Sequence, residues 1–266
     1  FVESMDFMGG TPGRENSVSE NSSNDFSRED PVIAYLINSR LAVLELNYPC
    51  YELNHDKIKL IPEESEPVKI MPDSNNLGRF FIFFDQDLDL DQKYELFIDS
   101  FYNCKGNLIN HEFKLSYCRH PKVGELLINE ILFNPKTGQN DYIELYNNSL
   151  DYINISGINI ADAEDLFGPA RNKVSINQNY CISPGSYVLL CEDFSKSIND
   201  YKYILKERII NTSLVSMPDD QGIIQIYDSN FNLIDAFSYS EKMHHFLIKD
   251  REGKALEKVN PRSISY

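Results

Sequence analysis

Short stretches in which apolar and polar residues alternate recur along most of this chain, and turn-forming residues separate them. Alternation with a period of two places the apolar side chains on one face, which is the pattern of a half-buried strand. Only residues 195–208 carry a weak pattern for a short helix. Many short strands at close spacing are typical of β-sandwiches, and we therefore predict an all-β chain.

The predicted strands form two series, which are separated at Arg119-His120-Pro121. The first series comprises residues 32–37, 41–46, 57–61, 66–70, 78–84, 94–99 and 111–117, and the second comprises residues 125–133, 142–146, 152–160, 187–191, 223–227, 233–239 and 256–259. We predict two consecutive Ig-like β-sandwich modules, at residues 31–118 and 119–266. A slip in the alternation at Gly157 predicts a β-bulge, and Asn230-Phe231-Asn232 predicts a hairpin turn.

The alternation in the second series also predicts which side chains form its core. These are the apolar residues on the repeating face of each strand, namely Ile128, Ile131, Ile143, Leu145, Ile155, Leu189, Ile224 and Ile234.

Residues 1–30 differ from both series because they are polar and rich in Ser, Asn, Asp and Glu. The part from 17 to 30 has too few large apolar residues to form a core and is interpreted as a linker. It follows a turn cluster, Gly9-Gly10-Thr11-Pro12-Gly13.

Several ordered motifs in the second series resemble lamin-tail domains of bacterial exported proteins. They are LINEILFNP at 127–135, DYIELYNN at 141–148, INISG at 153–157, SPGSYVLL at 183–190, DQGIIQIY at 220–227 with LID at 233–235, and the closing stretch 244–261. The chain departs from the family where Ile158 replaces a Trp and Ala255 replaces a Ser. The resemblance implies an Ig-fold sandwich of a cell-surface or secreted protein of Bacteroidetes type.

The motif that ends such domains stands at the other end of this chain, as MGGTPGRENS at 8–17. Either residues 1–30 are the tail of a preceding lamin-tail repeat plus a linker, or residues 1–17 belong to the same copy. We favour the preceding repeat, because repeats cut at an arbitrary phase leave this arrangement. Residues 1–17 are then expected to be disordered or to fill the vacant edge of a lamin-tail domain.

The first series is less distinctive. Its KYELFID at 93–99 followed by KGNLI at 105–109 resembles the end of bacterial Ig-like modules. The resemblance implies a second kind of sandwich that commonly alternates with others in surface proteins.

The net charge of −16 argues against nucleic-acid partners, because binding to a duplex needs Lys and Arg against the phosphates. The one basic cluster, Lys202, Lys206 and Arg208, is interrupted by Glu207 and preceded by Asp200. No apolar run approaches the ~20 residues of a membrane-spanning helix, and the sequence opens at Phe1 without a leader.

The five cysteines are Cys50, Cys104, Cys118, Cys181 and Cys191. Their odd number and the lack of CxxC pairs argue against a zinc site. Cys104 can face Cys118 across a hairpin, and Cys181 can face Cys191. We favour buried free thiols, which behave as small apolar side chains.

Asp141 and Glu144 suggest a two-carboxylate glycosidase. Three positions apart on one strand they point to opposite faces and cannot flank one bond, so we assign both a structural role. Ser183-Pro184-Gly185 is interpreted as a turn, since the sequence contains no GxSxG, P-loop or GxGxxG motif.

Two other patterns suggest a metal. Asp85, Asp87, Asp89 and Asp91 follow the DxDxD order of a calcium loop, but Leu90 stands where such a loop needs Gly, and we favour a solvated acidic turn. His244 and His245 are adjacent, so their side chains point apart on an extended strand, and no third ligand is evident. We expect no catalytic residue, no cofactor and no metal ligand.

The function predicted from these observations is that of non-catalytic structural or adhesive modules in a larger exported protein, bound to another protein or a cell-surface component. The alternative is a pair of accessory targeting modules attached to an exported hydrolase, a nuclease or phosphoesterase whose catalytic domain lies outside this chain.

Overall fold

The computed structural model describes residues 1–6, 9–13, 15–18, 33–46, 53–62, 67–74, 76, 78–102, 108–196, 201, 204, 206–248, 250–263 and 265. Strands account for 41% of the chain and helices for 4%, which confirms the all-β prediction. The chain divides into two compact units. The smaller unit comprises residues 25–119, and the larger unit comprises residues 1–24 together with 120–266.

The smaller unit has two layers of strands around one core. After β1 (Val2–Glu3), which belongs to the larger unit, its strands are β2 (Ile33–Asn38), β3 (Leu41–Glu45), β4 (Ile58–Ile61), β5 (Lys69–Pro72), β6 (Arg79–Phe83), β7 (Tyr94–Tyr102) and β8 (Leu108–Tyr117), with a 3-10 turn at His55–Lys57. They follow the order β4-β7-β8-β2-β3-β6-β5. Strand β8 pairs with β7 along most of its length and joins β2 in parallel only at Ser116 and Tyr117. The apolar faces of both layers, including Leu44, Ile82 and Leu96, form the core between them.

The larger unit is a second sandwich. Its strands are β9 (Leu126–Leu132), β10 (Tyr142–Asn147), β11 (Ile153–Asn154), β12 (Asn159–Asp162), β13 (Lys173–Ser175), β14 (Cys181–Ile182), β15 (Tyr187–Cys191), β16 (Ile209–Asn211), β17 (Gln221–Tyr227), β18 (Leu233–Ser240) and β19 (Leu256–Glu257), with 3-10 turns at Lys206–Arg208 and Glu241–Met243. A six-stranded sheet has the order β1-β19-β9-β10-β15-β16, a four-stranded sheet has the order β13-β12-β17-β18, and β11 pairs with β14.

All eight side chains predicted for the core of this unit are buried, with at most 1% of their surface exposed. Seven of them lie in the large cluster between the sheets. Leu189 instead lies in a second cluster with Tyr142, Phe194 and Tyr201. Since Leu189 alternates with Val188 and Leu190 of the main core, this second cluster covers the opposite face of the six-stranded sheet.

The predicted strand 152–160 is two strands in the structure. At Gly157 the backbone has φ of 79°, and the chain turns there instead of forming a bulge. Strand β11 pairs with β14, whereas β12 pairs with β13 and β17. A positive φ is strained for residues with a side chain, which explains why glycine marks the break.

One irregularity in the pairing of this unit lies between β9 and β10. Glu144 is opposite Glu130 and Leu145 is opposite Ile128, so Asn129 is the extra residue of a β-bulge. Because a bulge reverses the alternation, both Ile128 and Ile131 reach the core, while Asn129 and Glu130 point to the other face.

The prediction of free thiols is wrong for two cysteines, because Cys118 and Cys181 are disulfide-bonded. Cys191 is a buried free thiol, which excludes the pair between Cys181 and Cys191. Burial raises the pKa of the Cys191 thiol to about 11. Predictions about Cys50, Cys104, Lys202, residues 105–107 and residues 19–32 fall outside the described residues. No helix within the described ranges is long and apolar enough to cross a membrane.

Candidate functional site

We call residues 1–18 the closing segment. Its described residues, 1–6, 9–13 and 15–18, pack on the six-stranded sheet of the larger unit to which they belong. Val2 and Glu3 pair antiparallel with Glu257 and Leu256. The Ser4 N–H donates to the Ala255 carbonyl at 2.9 Å, and the Ala255 N–H donates to the Gly9 carbonyl at 2.6 Å. The segment thus covers the edge of β19. Of the two outcomes expected for residues 1–17, disorder or the filling of a vacant sheet edge, the structure shows the second. Its origin in a preceding repeat stays a prediction.

Three glutamates lie side by side beneath this segment, and we call them the carboxylate row. Glu257 on β19 is opposite Glu130 on β9, which is opposite Glu144 on β10. All three side chains are fully buried. Buried carboxylates need hydrogen-bond donors or protons, because transfer of an unpaired charge out of water is very unfavourable.

Thr11 supplies donors to two members of the row. Its N–H lies 3.1 Å from both oxygens of Glu130. Its hydroxyl lies 2.9 Å from Glu257 Oε1 and 3.2 Å from Glu130 Oε2. Ser17 donates its hydroxyl to the other Glu257 oxygen at 2.9 Å. One residue of the segment therefore bridges two carboxyl groups on adjacent strands.

Glu144 is bound by a main-chain amide and a carboxamide. The Gly13 N–H donates to Glu144 Oε2, and Asn129 Nδ2 donates to Oε1 at 2.7 Å. Asn129 and Asn16 also exchange hydrogen bonds through their carboxamides, at 2.8 and 3.0 Å. Asn16 donates further to the Lys258 carbonyl at 2.8 Å. The bulged Asn129 thus connects the row to the segment.

Two glycines let the segment approach the sheet this closely. A Cβ on Gly10 would collide with the hydroxyl of Tyr142 and a carboxylate oxygen of Glu130, and a Cβ on Gly9 would collide with the Gly253 carbonyl. Gly9 also has φ of 97°. The requirement at Gly10 is therefore steric, whereas the one at Gly9 is steric and conformational.

The electrostatics of the row follow from its burial. Desolvation raises the pKa of Glu130 well above its ordinary value, and the neighbouring Glu257 and Glu144 raise it further. Desolvation also raises the pKa of Glu144 to about 8, although the Gly13 N–H and Asn129 favour its ionised form. Glu144 therefore retains its proton at neutral pH, and the pKa of Glu130 is shifted in the same direction, because like charges this close oppose joint ionisation.

His244 and His245 both lie beside Glu3 of the closing segment. His244 is buried, with Nδ1 3.7 Å from Glu3 Oε2, and neither of its ring nitrogens has a hydrogen-bond partner among the described residues. The main-chain N–H of the exposed His245 donates to Glu3 Oε2 at 3.3 Å. Desolvation lowers the pKa of His244, with the Glu3 carboxylate opposing it. The two rings differ in environment, as adjacent residues of an extended chain should.

The structure does not join Asp141 to Glu144 in one site. Asp141 precedes β10, and its pKa is raised to about 7 first by desolvation and then by Asp219 and Glu192. Glu144 belongs to the row beneath the closing segment. Ser183 to Gly185 form a turn, closed by a hydrogen bond from the Ser186 N–H to the Ser183 carbonyl.

The four aspartates of the acidic run are all exposed. Asp87 accepts two hydrogen bonds from the Arg40 guanidinium, at 2.9 and 2.7 Å, and one from Ser39 at 2.7 Å. Asp89 accepts from the Asp91 N–H at 2.9 Å. These contacts favour the acidic-turn interpretation over a calcium loop. Within the described ranges no three His, Cys, Asp or Glu side chains are grouped to hold a metal ion.

A separate cavity of about 440 Å³ opens near Asp162, Arg171 and Tyr239. Its charged groups bind each other. Arg171 donates to Asp162 at 2.9 Å, and the Asn172 N–H donates to the same carboxylate at 2.7 Å. This arrangement stabilises the loop between β12 and β13.

The site that sequence reasoning missed is the carboxylate row with its cover. Alternation would place the adjacent Asn129 and Glu130 on opposite faces, so it gave no signal that both lie on the face away from the core. The displaced motif at 8–17 did predict that a strand edge could be filled. Nothing in either pattern indicated that the same segment covers the glutamates.

Residues 119–241 match the family model of the Lamin Tail Domain. Among solved structures, the chain is similar to a DUF4876 family protein from Bacteroides thetaiotaomicron VPI-5482, with 14% identity, a TM-score of 0.32, and coverage of 69% of this chain and 72% of that chain. That likeness is too weak for an inference about function. No curated protein matches the chain.

Proposed function

We propose that this chain is a non-catalytic structural and interaction part of a larger exported protein, secreted or held at a cell surface of Bacteroidetes type. In this proposal the larger unit is a lamin-tail domain and the smaller unit is a preceding bacterial Ig-like module. The partner is another protein or a cell-surface component, and nucleic acid is not a partner.

The observation that carries the proposal is that the buried carboxyl groups bind residues of the same chain. Chemistry needs ionisable groups that face a substrate-sized cleft. Glu130, Glu144 and Glu257 are fully buried, and their donors come from Thr11, Gly13 and Ser17 of the same chain. The perturbed groups therefore serve to hold the sandwich together.

Two further observations support the compartment and the class of partner. Disulfides persist in exported proteins and are rare in the reducing cytosol, and Cys118 and Cys181 are both disulfide-bonded. The net charge of −16 opposes binding to phosphate backbones.

The compartment is tested on intact cells that produce the protein. We expect antibodies against this chain to label unpermeabilised cells or the medium, and external protease to remove the cell-associated signal. Labelling only after permeabilisation would contradict export. An internal cytosolic protein must remain protected in the same cells.

The absence of catalysis is tested on the purified chain with single-stranded DNA, duplex DNA and a phosphodiester. We expect no hydrolysis above the buffer rate. Hydrolysis that is lost in Glu144→Gln and kept in the exposed control Glu164→Gln would overturn the proposal. The accessory-module alternative would instead be supported if a longer protein that contains this chain hydrolyses one of these substrates, and if the rate of hydrolysis falls when residues 1–266 are removed.

A further inference from the structure

The closing segment reaches its groove from a distant part of the sequence. The bonds from Thr11 to Glu130 and from Gly13 to Glu144 span 119 and 131 positions. The smaller unit lies between them in the sequence. The covalent connection acts as an effective concentration of the segment, which falls slowly as the loop lengthens, so an identical segment from another chain competes when its own concentration approaches that value.

The groove is incomplete without an occupant. Its floor consists of Asn129, Tyr142 and the carboxylate row. Removal of the segment would take away the main-chain donors of Glu130 and Glu144 and the strand that pairs with β19. An unpaired sheet edge binds other strands readily, and of the donors described here Glu130 would keep the Tyr142 hydroxyl and Glu144 the Asn129 carboxamide, with fewer hydrogen bonds than before. An empty groove therefore favours any segment with the right chemistry.

The groove is selective about that chemistry. It requires residues without side chains at positions 9 and 10, an N–H and a hydroxyl at position 11, and a carboxamide at position 16. An aromatic ring at position 1 stacks on Phe237, with 3.7 Å between the centroids. A second copy of this chain carries a segment that meets every one of these requirements.

We propose that this groove is a peptide-binding site that takes the closing segment of a second copy of the chain, so that copies join by exchanging residues 1–18. The contacts are the same whether the segment comes from its own chain or from another. The effective concentration of each segment therefore decides between the closed monomer and the exchanged dimer. This proposal does not rest on the proposed function, since an enzyme can carry the same groove.

The first experiment tests the groove itself. A chain lacking residues 1–18 is mixed with a synthetic peptide of residues 1–18, and binding is measured by calorimetry and by the thermal midpoint. We expect saturable binding and a raised midpoint. A peptide with Thr11→Val and Asn16→Ala should bind at least about tenfold more weakly, because it leaves buried partners unsatisfied. A folded truncated chain that does not bind the peptide overturns the proposal.

A second measurement covers a truncated chain that does not fold alone. Peptide added during refolding should then restore the strand spectrum, and the doubly substituted peptide should not. In parallel, a protease site is inserted after Val18 in the full chain, and the folded protein is cut. Exchange of the cut segment for excess labelled peptide supports the proposal. A failure of both the rescue and the exchange overturns it.

The exchange between copies is tested with two full chains that carry different tags. The chains are refolded together at high concentration and purified through one tag. We expect the other tag to copurify, and the amount to rise with protein concentration. Deletion of residues 1–18 from both copies should abolish copurification. Copurification that survives this deletion, or its absence at every concentration, overturns the proposal. None of these results bears on hydrolysis or export, so failure here leaves the proposed function standing.

Discussion

An ion pair of the smaller unit and the carboxylate row of the larger unit lie in opposite environments. In the smaller unit, Arg40 and Asp87 form an ion pair whose side chains are 57% and 63% exposed. In the larger unit, Glu130, Glu144 and Glu257 have no exposed surface. Arg40 lies in the turn between β2 and β3 and Asp87 in the loop after β6, whereas the three glutamates lie on strands. The carboxylate row therefore shows that the polar face of a strand indicates solvent only where no other part of the chain covers that face.

The larger unit therefore has a six-stranded sheet with two buried faces. One face packs Ile143 and Leu145 into the main core. The other carries the carboxylate row and is covered by the closing segment and the cluster around Phe194 and Tyr201.

The largest effect is expected from the apolar face. Leu145→Ala should lower the free energy of unfolding of the larger unit by about 2–5 kcal/mol, because it leaves a cavity among fully buried neighbours. Leu150→Ala is the matched control, since that side chain is 92% exposed, and it should change stability by less than about 0.5 kcal/mol. Denaturant unfolding measures both. Equal effects would show that the core has been assigned to the wrong residues.

A smaller loss is expected at the covered polar face. Gly10→Ala should cost about 1–3 kcal/mol, because the new methyl group overlaps Tyr142 Oη and Glu130 and forces the segment away from the sheet. The same substitution in a Tyr142→Phe background removes one of the colliding atoms. The cost should be lower there, and a double-mutant cycle measures the difference. Strictly additive effects would contradict the close approach.

The polar face should also make stability depend on pH. The folded-state pKa of Glu144 is raised to about 8, and that of Asp141 is raised to about 7. A raised pKa means that the folded state holds its proton more tightly, so this contribution is complete below the unfolded value of 4.5 and is lost as pH rises through 8. Between pH 6.5 and 8, stability of the larger unit should therefore increase as pH falls.

The Phe1 amino group, whose pKa is lowered from 8.0 first by desolvation and then by Lys258, opposes this trend within the window. Two side-chain bases with lowered pKa values limit the window. Lys258, lowered to about 8 by desolvation, acts in the opposite direction above pH 8, and His244 acts in the opposite direction below 6.5. Within the window, Glu144→Gln should reduce the slope by up to about 1.4 kcal/mol per pH unit. Glu164→Gln, at an exposed position, should leave it unchanged. Thermal melts across this range measure the slope, and a slope that Glu144→Gln does not alter would mean that Glu144 is ionised at neutral pH.

Sequence patterns predicted one face of the sheet and not the other, for a physical reason. Alternation identified Ile143, Ile155 and Ile224 as core, because a face against another sheet must be apolar. It gave no indication of a bulge at Asn129, because a single extra residue hardly changes the local composition. The break at Gly157 was marked by its glycine but was interpreted as a bulge.

The candidate site was harder to predict than the fold. Its parts stand at residues 9–18, 129–144 and 257, and only tertiary contact unites them. Glutamate on a strand is normally solvent-facing, so nothing local indicated that Glu130 and Glu144 are buried. The displaced TPG motif did indicate that a strand edge would need filling, and the structure places residues 1–18 at such an edge.

The smallest effect on stability is expected in the smaller unit, at the exposed ion pair of Arg40 and Asp87. The pKa of Asp87 is lowered to about 2, first by its hydrogen bonds from Arg40 and then by that from Ser39. Arg40→Ala should raise this pKa towards 3.8, as followed by NMR titration of the carboxyl carbon. The denaturation midpoint of the smaller unit should stay unchanged at neutral pH, because exposed ion pairs gain little over hydration. Ser39→Ala should give a smaller shift of the same sign. The contrast between the two units would be contradicted if Arg40→Ala lowered the denaturation midpoint of the smaller unit as much as Gly10→Ala lowers that of the larger unit.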